Sequence, residues 1–241
     1  MNEPGRTAEP VVVFPTCLVD TLRPDLGEAT DRLLRRAGAE PVRARGATCC
    51  GQPAYNAGYA ADARRVTGRT VRALAKTEGP IVVPSGSCTT MLSRHAPGLL
   101  RGTRWAAAAS QVAGRVVELA TYLAGRLPAS ERKGGVVTYH DSCHMLRELG
   151  ETAAPRALLA GAGCEVRELP DRDRCCGFGG TFSVKLPAVS VAMADEKLDR
   201  AVATGATALV GCDVSCLLHL EGRARRRGLP LDVRHVADVI E

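Results

Sequence analysis

The chain carries one arrangement of cysteines twice. The triplet Cys-Cys-Gly stands at residues 49–51 and again at 175–177, 126 residues later. One cysteine precedes each triplet and another follows it, so eight of the ten cysteines form two equivalent quartets. The first quartet is Cys17, Cys49, Cys50 and Cys88, and the second is Cys143, Cys175, Cys176 and Cys216. Cysteines kept only for packing would not hold this register through an internal duplication, and the pattern therefore predicts two metal sites.

Short apolar segments alternate with longer amphipathic segments in both halves of the chain. Strands are predicted at 11–14, 41–45, 81–83, 136–139, 164–169, 208–210 and 231–233. Helices are predicted at 26–37, 59–77, 89–95, 111–127, 154–160, 189–203 and 216–227. This alternation favours an α/β fold of two pseudo-symmetric Rossmann-like halves with parallel sheets, each carrying one Cys-Cys-Gly motif. We predict a first domain at 1–127, a polar linker at 128–135 and a second domain at 136–241.

The predicted fold brings the cysteines of each half to one place. The carboxyl ends of parallel strands meet at the same edge of a sheet, and open α/β sheets bind their ligands there. Cys88 and Cys216 also stand where a strand is followed by a helix. Free N–H groups and the helix dipole at such a position favour a thiolate. We therefore expect each quartet to converge at the edge of its own sheet.

Composition and charge exclude several classes of function. The net charge of +6 is spread along a chain with only 3% aromatic residues, which does not fit the concentrated basic face of a nucleic-acid binder. No segment has the roughly 20 apolar residues of a membrane span, and Met1–Pro10 lacks the apolar region of a secretory signal. We predict a cytoplasmic protein. In that reducing compartment, ten cysteines are better explained as ligands or redox groups than as disulfides.

The spacing of the cysteines favours iron–sulfur clusters over zinc. Structural zinc sites usually contain pairs of the form Cys-x2–4-Cys, whereas the only closely spaced cysteines in each quartet are adjacent. Iron–sulfur clusters are held by thiolates with widely variable spacing, and the glycine after each pair allows the chain to bend around a cluster. A zinc site and a metal-free thiol/disulfide device remain the alternatives.

Longer stretches around these cysteines resemble the Cys-Cys-Gly domain family, and most closely its lactate-utilization iron–sulfur protein A branch. They are Pro84–Cys88, Tyr139–His144, Cys175–Lys185, Ala192–Lys197 and Asp213–His219. The resemblance implies a cytosolic iron–sulfur subunit that acts with companion subunits, including a ferredoxin-like iron–sulfur protein, to oxidise L-lactate or another 2-hydroxy acid. The B subunit of heterodisulfide reductase and the glycolate oxidase iron–sulfur subunit are related members.

The chain departs from the fuller family pattern at two positions. Heterodisulfide reductase B subunits end each motif with Cys-x-x-Cys and hold five cysteines, whereas Ser85 and Asp213 replace the first cysteine of that pair here. Four sulfurs per half suit two [4Fe–4S] clusters, with a non-cubane cluster left open. We therefore expect electron transfer, with heterodisulfide-type thiol/disulfide chemistry or a zinc-stabilised binding module as alternatives. Cys212 could supply the missing ligand, although a shift of one residue on a strand turns its side chain to the opposite face.

Several histidines lie near the predicted ligands. His140 and His144 flank Cys143 and could donate to cluster sulfur, relay protons or simply pack. His219 follows Cys216 by one helical turn, which places both on one helix face. Cys164 has no equivalent in the first half and is expected to pack in the core. The sequence contains no Gly-x-Gly-x-x-Gly dinucleotide motif, so either a companion supplies a flavin or nicotinamide or a cluster meets the substrate directly. No catalytic residue is assigned.

Overall fold

The computed structural model describes residues 9–129 and 134–241, in which two parallel sheets of four strands each are formed. The strands are β1 (Glu9–Val13), β2 (Ala39–Arg43), β3 (Ile81–Val83), β4 (Val116–Glu118), β5 (Val136–His140), β6 (Glu165–Glu168), β7 (Ala208–Gly211) and β8 (Asp232–His235). Their order is β2-β1-β3-β4 in the first sheet and β6-β5-β7-β8 in the second. The predicted α/β fold with two parallel sheets is therefore confirmed. Parts of the Met1–Pro10 segment and of the linker at 128–135, residues 1–8 and 130–133, lie outside the described residues.

Helices connect the strands and cover both faces of each sheet. They are α1 (Cys17–Leu22), α2 (Pro24–Arg36), α3 (Gln52–Asn56), α4 (Ala60–Leu74), α5 (Gly86–Thr90), α6 (Ala96–Leu99), α7 (Ala106–Ala113), α8 (Leu119–Leu123), α9 (Ala153–Gly161), α10 (Thr181–Lys185), α11 (Pro187–Ala203), α12 (Val214–Arg227) and α13 (Val236–Ile240). Two π-helical segments, Met91–His95 and His144–Leu149, follow α5 and Cys143. None of the helices in the described ranges has the length and apolar character needed to cross a membrane.

The two halves share one hydrophobic core. A cluster of buried side chains between the sheets draws Val13 and Leu119 from the first half and Val137 and Val236 from the second. Separate apolar clusters fill the outer face of each sheet, beneath α4 and α7 in the first half and beneath α11 and α12 in the second. Because strands such as β3 are apolar and buried on both faces, each sheet requires cover on both sides. The shared core fixes the two halves against each other.

The helix predicted at 111–127 is wrong. The structure ends α7 at Ala113, inserts the edge strand β4 and then begins α8. Val116 and Val117 pair with Ile81 and Val82 of β3, and their β-branched side chains favour this extended conformation. The apolar residues of α7 and α8, on either side of so short a strand, imitate one continuous helical pattern. The predicted strand at 164–169 is shorter, so that Cys164 lies just before β6.

Glu118 provides a test of this corrected region. Its side chain is buried at the start of α8, where one carboxyl oxygen accepts from the backbone N–H groups of Ala120 and Thr121 at 2.7 and 3.2 Å. Burial raises its pKa from 4.5 to about 8. The folded protein therefore binds an extra proton between these values, and the contribution of this group to stability is lost as pH rises from 4.5 to 8.

We expect Glu118→Gln to be about 1–3 kcal/mol more stable than the parent at pH 8.5 and nearly equal to it at pH 4.5, because glutamine keeps the acceptor oxygen without the charge. Urea unfolding at both pH values measures the difference. Glu78→Gln, at an exposed position, is the control and should change neither value. An equal effect of Glu118→Gln at both pH values would contradict a raised pKa for the buried Glu118 side chain.

Candidate metal centres

The first quartet lies at the carboxyl edge of the first sheet. Cys17 begins α1 after β1, Cys49 and Cys50 occupy the loop before α3, and Cys88 lies in α5 after β3. The sulfurs of Cys17 and Cys49 are 3.7 Å apart, and those of Cys50 and Cys88 are 3.2 Å apart. The structure thus brings together four cysteines that are widely separated in the sequence.

The second quartet occupies the equivalent edge of the second sheet. Cys143 follows β5, Cys175 and Cys176 lie in the loop after β6, and Cys216 lies in α12 after β7. The sulfurs of Cys176 and Cys216 lie within 4.8 Å of each other, and the thiols of Cys143 and Cys175 are close enough for each to shift the pKa of the other. The two quartets also share one pattern of burial. The second cysteine of each triplet and the last cysteine of each quartet are buried, and the other two are half-buried. All ten cysteines fall within the described residues and are free.

The glycine of each triplet is required by the backbone. Gly51 and Gly177 have φ values of 91° and 88°, in the left-handed region. A Cβ atom at Gly51 would lie 2.2 Å from the hydroxyl oxygen of Thr67, and one at Gly177 would lie 2.5 Å from the carbonyl oxygen of Ser190. These close approaches seat both loops on helices α4 and α11. The amides of Gly51 and Gly177 then donate to the sulfurs of Cys49 and Cys175 at 3.5 and 3.4 Å.

The interactions within each quartet favour one thiolate. The hydrogen bond from the Cys17 thiol lowers the pKa of Cys49 to about 3, and the interaction with the Cys143 thiol lowers the pKa of Cys175 to about 2. The same interactions raise the pKa values of Cys17 and Cys143. A thiolate is the form of cysteine that binds a metal. The first cysteine of each triplet is therefore ready to act as a ligand.

Two contacts connect the quartets across the boundary between the halves. The imidazole of His144 lies 3.5 Å from the Cys143 sulfur through Nδ1 and 2.8 Å from the side-chain amide of Gln52 through Nε2. Gln52 immediately follows the first triplet, so this histidine spans from one quartet to the other. The role of His144 stays a prediction, and both contacts are compatible with donation to a sulfur.

Asp213 forms the second connection. Its buried carboxylate accepts from the backbone N–H of Ser87 at 2.7 Å and from the Ser85 hydroxyl at 3.3 Å, both in the first half. It also caps α12 by accepting from the N–H of Ser215 at 3.2 Å. Ser85 and Asp213, at the positions compared above with the fifth cysteines of heterodisulfide reductase B subunits, are thus hydrogen-bonded to each other.

The remaining candidates occupy different surroundings. Cys212 lies in the core between the halves, where the Tyr139 hydroxyl donates to its sulfur at 3.3 Å. Its side chain therefore points away from the apolar cluster that contains Cys176 and Cys216. Cys164 is half-buried against the shared core, as expected. His219 lies beneath the second loop, with Nε2 3.3 Å from the hydroxyl of Ser190.

The second quartet has two buried neighbours whose polar atoms lack partners among the described residues. One nitrogen of His140 forms a compact group with the sulfurs of Cys176 and Cys216, all within 4.8 Å of one another. Neither ring nitrogen of His140 has a hydrogen-bond partner, and neither has Nζ of Lys197. Lys197 is not among the site residues predicted from the sequence. Its signal was available, because Lys197 lies on the α11 face that also buries Ala194, Leu198 and Ala201.

The chain matches the protein family described as "Cysteine-rich domain" (CCG) at residues 11–93 and 137–221, one copy in each half. This chain belongs to that family. Lactate utilization protein A of Halalkalibacterium halodurans is 42% identical over 234 residues, which cover 95% of this chain and 96% of that protein. Proteins of the same name from Bacillus thuringiensis and Bacillus cereus are also 42% identical over 234 residues, with 98% of each covered. The resemblance found in the sequence is confirmed.

The fold also has a solved counterpart. The crystal structure of a hypothetical protein from Helicobacter pylori matches with a TM-score of 0.69 at 9% sequence identity. The match covers 99% of this chain and 49% of that one, so this chain spans about half the length of the solved protein. At this identity the likeness concerns the fold alone.

The CCG family and the donor set together suggest metal or iron–sulfur binding. Each half presents four sulfurs at one sheet edge, and cysteine thiolates are the ligands of iron–sulfur clusters. The unpartnered atoms of His140 and Lys197 are a further sign, because buried polar groups are costly unless something satisfies them. The residues present therefore fit such a group.

Proposed function

We propose that this chain is an iron–sulfur electron-transfer subunit of a multiprotein system that oxidises L-lactate to pyruvate. The main support is the pair of convergent cysteine quartets in a chain 42% identical to proteins named Lactate utilization protein A. In this proposal Cys17, Cys49, Cys50 and Cys88 hold one [4Fe–4S] cluster, and Cys143, Cys175, Cys176 and Cys216 hold another. Such a cluster, when bound, supplies reversible one-electron transfer.

The proposal assigns the chemistry at lactate to companion subunits. Oxidation of lactate to pyruvate releases two electrons and two protons, which calls for a hydride or electron acceptor beside the substrate. The chain has no Gly-x-Gly-x-x-Gly motif for a dinucleotide. A companion would therefore carry that acceptor, and a ferredoxin-like iron–sulfur companion would exchange electrons with the two clusters. Ten free thiols are compatible with the reducing cytoplasm that we propose as the location.

The positions of Ser85 and Asp213 favour electron transfer over heterodisulfide chemistry. Both side chains are buried, and the Ser85 hydroxyl donates to the Asp213 carboxylate. The residues at the fifth-cysteine positions therefore hold the two halves together and leave four sulfurs for each site. This supports two four-cysteine clusters and weakens the analogy with a disulfide-cleaving cluster.

Iron and acid-labile sulfide analysis of the anaerobically purified chain tests the proposal. We expect about eight irons and about eight sulfides per chain, and an EPR signal that appears on reduction. With the companion subunits of a relative's lactate utilization system added, L-lactate should reduce the clusters, and glycolate serves as the comparison substrate. A colourless protein containing zinc and no sulfide would contradict the proposal. Disulfide reduction by the isolated chain would favour the heterodisulfide-type alternative.

A further inference from the structure

Two buried basic side chains beside the second quartet have no hydrogen-bond partner among the described residues. His140 ends β5 and is 1% exposed, and Lys197 lies on α11 and is 2% exposed. Neither ring nitrogen of the histidine nor the amine of the lysine has a partner in the part of the chain that the structure describes. Unpaired buried groups of this kind oppose folding, and a buried amine does so strongly. Their presence therefore indicates a partner that is not a protein side chain.

His140 faces the sulfurs of the second quartet, and Lys197 lies on the helix whose residues Ala194 and Leu198 pack in one cluster with Cys176 and Cys216. One ring nitrogen of His140 lies within 4.8 Å of the sulfurs of Cys176 and Cys216. Burial lowers the pKa of Lys197, and negative charge on Cys176, Cys216, Cys175 and Asp141 opposes this decrease; of these four, Asp141 is already paired with Arg156. The partner of both basic groups is therefore expected among the atoms that the second quartet holds.

The first quartet has an aromatic ring where the second has His140. In the first sheet Val13 pairs with Val82, and in the second Tyr139 pairs with Val210. The residues that follow these pairs are Phe14 and His140, so they occupy equivalent positions. Phe14 is fully buried and offers no hydrogen-bond donor.

Lys197 likewise has a neutral counterpart. The loop glycines Gly51 and Gly177 pack against the carbonyl groups of Ala63 and Ser190, which are therefore equivalent positions of α4 and α11. Thr70 and Lys197 each lie seven residues further along. The Thr70 hydroxyl donates to the carbonyl of Cys49 at 2.7 Å and is satisfied. The two quartets thus have the same ligand pattern but different surroundings.

Burial of the pair excludes a substrate that arrives from solvent. With 1% and 2% exposure, neither His140 nor Lys197 is accessible to a 2-hydroxy acid in the folded protein. We propose that His140 and Lys197 hold the cluster of the second quartet at a higher reduction potential than that of the first. This inference rests on the proposed function, because it requires that both quartets hold iron–sulfur clusters.

The physical reason is the charge added on reduction. Each reduction step makes the cluster more negative, so hydrogen bonds to its sulfurs and nearby positive charge stabilise the reduced form. The second loop adds one more donor, the amide of Phe178, 3.5 Å from the sulfur of Cys176. At the first quartet the equivalent of His140 is the phenyl ring of Phe14. The equivalent of Lys197 is the hydroxyl of Thr70, which already donates to a backbone carbonyl. An electron shared between the sites should therefore reside at the second.

Redox titration followed by EPR tests this on the full chain. Cys176→Ala and Cys50→Ala proteins isolate the first and second cluster, respectively, so that each midpoint is assigned. Adding Lys197→Met or His140→Phe to the Cys50→Ala protein should lower the second midpoint. For Lys197→Met we expect about a tenfold fall in the ratio of reduced to oxidised cluster at the former midpoint, or about 59 mV for one electron. Lys76→Met removes an exposed lysine of the first half and should leave that midpoint unchanged.

Unfolding of the iron-free protein gives an independent readout. Lys197→Met should raise the urea midpoint of the apoprotein, because it replaces an unpaired buried amine with an apolar side chain of similar size. Equal midpoints for the two clusters, or a second midpoint insensitive to both substitutions, would overturn the inference while leaving the proposed function intact. An apoprotein destabilised by Lys197→Met would also overturn it, since the amine would then have a protein partner. Absence of iron and sulfide from the parent chain would overturn the proposed function and this inference together.

Discussion

Replacing Cys50 or Cys176 with alanine is expected to remove about half of the iron, leaving about four irons per chain in each variant. Each residue is the buried second cysteine of its triplet. The Cys50 sulfur lies 3.2 Å from that of Cys88 in α5, and the Cys176 sulfur lies within 4.8 Å of that of Cys216 in α12. Its loss leaves three sulfurs at one sheet edge while the other edge keeps four. Iron and sulfide analysis after anaerobic purification measures the loss, and EPR shows which signal disappears.

The two cysteines outside the quartets are the matched controls. Cys164→Ala should retain all the iron because Cys164 is half-buried against the shared core. Cys212→Ala should retain it as well, since the Cys212 sulfur accepts from Tyr139 in the core. Iron loss in Cys212→Ala would instead assign this residue as a ligand. Complete loss of iron from either single quartet variant would contradict two independent sites.

The predictable part of the site follows from the duplication. Strand β3 with Cys88 and strand β7 with Cys216 are each a short apolar run followed by a helix. Such runs can be recognised locally, and parallel pairing then requires their carboxyl ends to meet. The sequence alone therefore predicts that the four cysteines of each quartet converge. The spacing of the cysteines records the same strand–loop–helix order in both halves.

What could not be predicted depends on contacts between distant residues. Strand β4 has three residues, and only its pairing with β3 distinguishes it from the helices around it. The position of Lys197 on the apolar face of α11 indicates a buried lysine, but its proximity to the second quartet depends on the loop that packs against this helix. The shared core between the sheets likewise has no local sequence signal. The same apolar residues could equally form two separate cores, one in each domain.

Ser85 and Asp213 illustrate the same limit. From the sequence they were places where a cysteine was missing, 128 residues apart. In the structure they meet at the boundary between the halves, where Asp213 also accepts from the N–H of Ser87. The substitution of the fifth cysteines therefore has a structural consequence, because one carboxylate holds the start of α5 and the start of α12. These are the helices that carry Cys88 and Cys216.

Asp213→Ala should accordingly destabilise the fold and weaken both cysteine sites. It removes the cap of α12, at a cost of about 1 kcal/mol, and leaves the buried N–H of Ser87 unpaired, at a further cost of about 1–3 kcal/mol. We expect a total loss of about 3 kcal/mol in the free energy of unfolding. Because the carboxylate positions both helices, iron retention should fall at both quartets. Urea unfolding of the apoprotein and iron analysis of the purified chain measure the two effects.

Ser85→Ala is the control for the hydrogen bond between the halves. It removes the hydroxyl that donates to Asp213 at 3.3 Å and that also bonds the Ser87 hydroxyl at 3.2 Å. Because it keeps the cap and the bond from the Ser87 N–H to Asp213, its cost should be about 1 kcal/mol. An Asp213→Ala protein as stable as Ser85→Ala would show that the carboxylate does not hold the helices. If Asp213→Ala reduced iron at the second quartet alone, its effect would be confined to capping α12. Loss at both quartets is what a carboxylate shared between the halves requires.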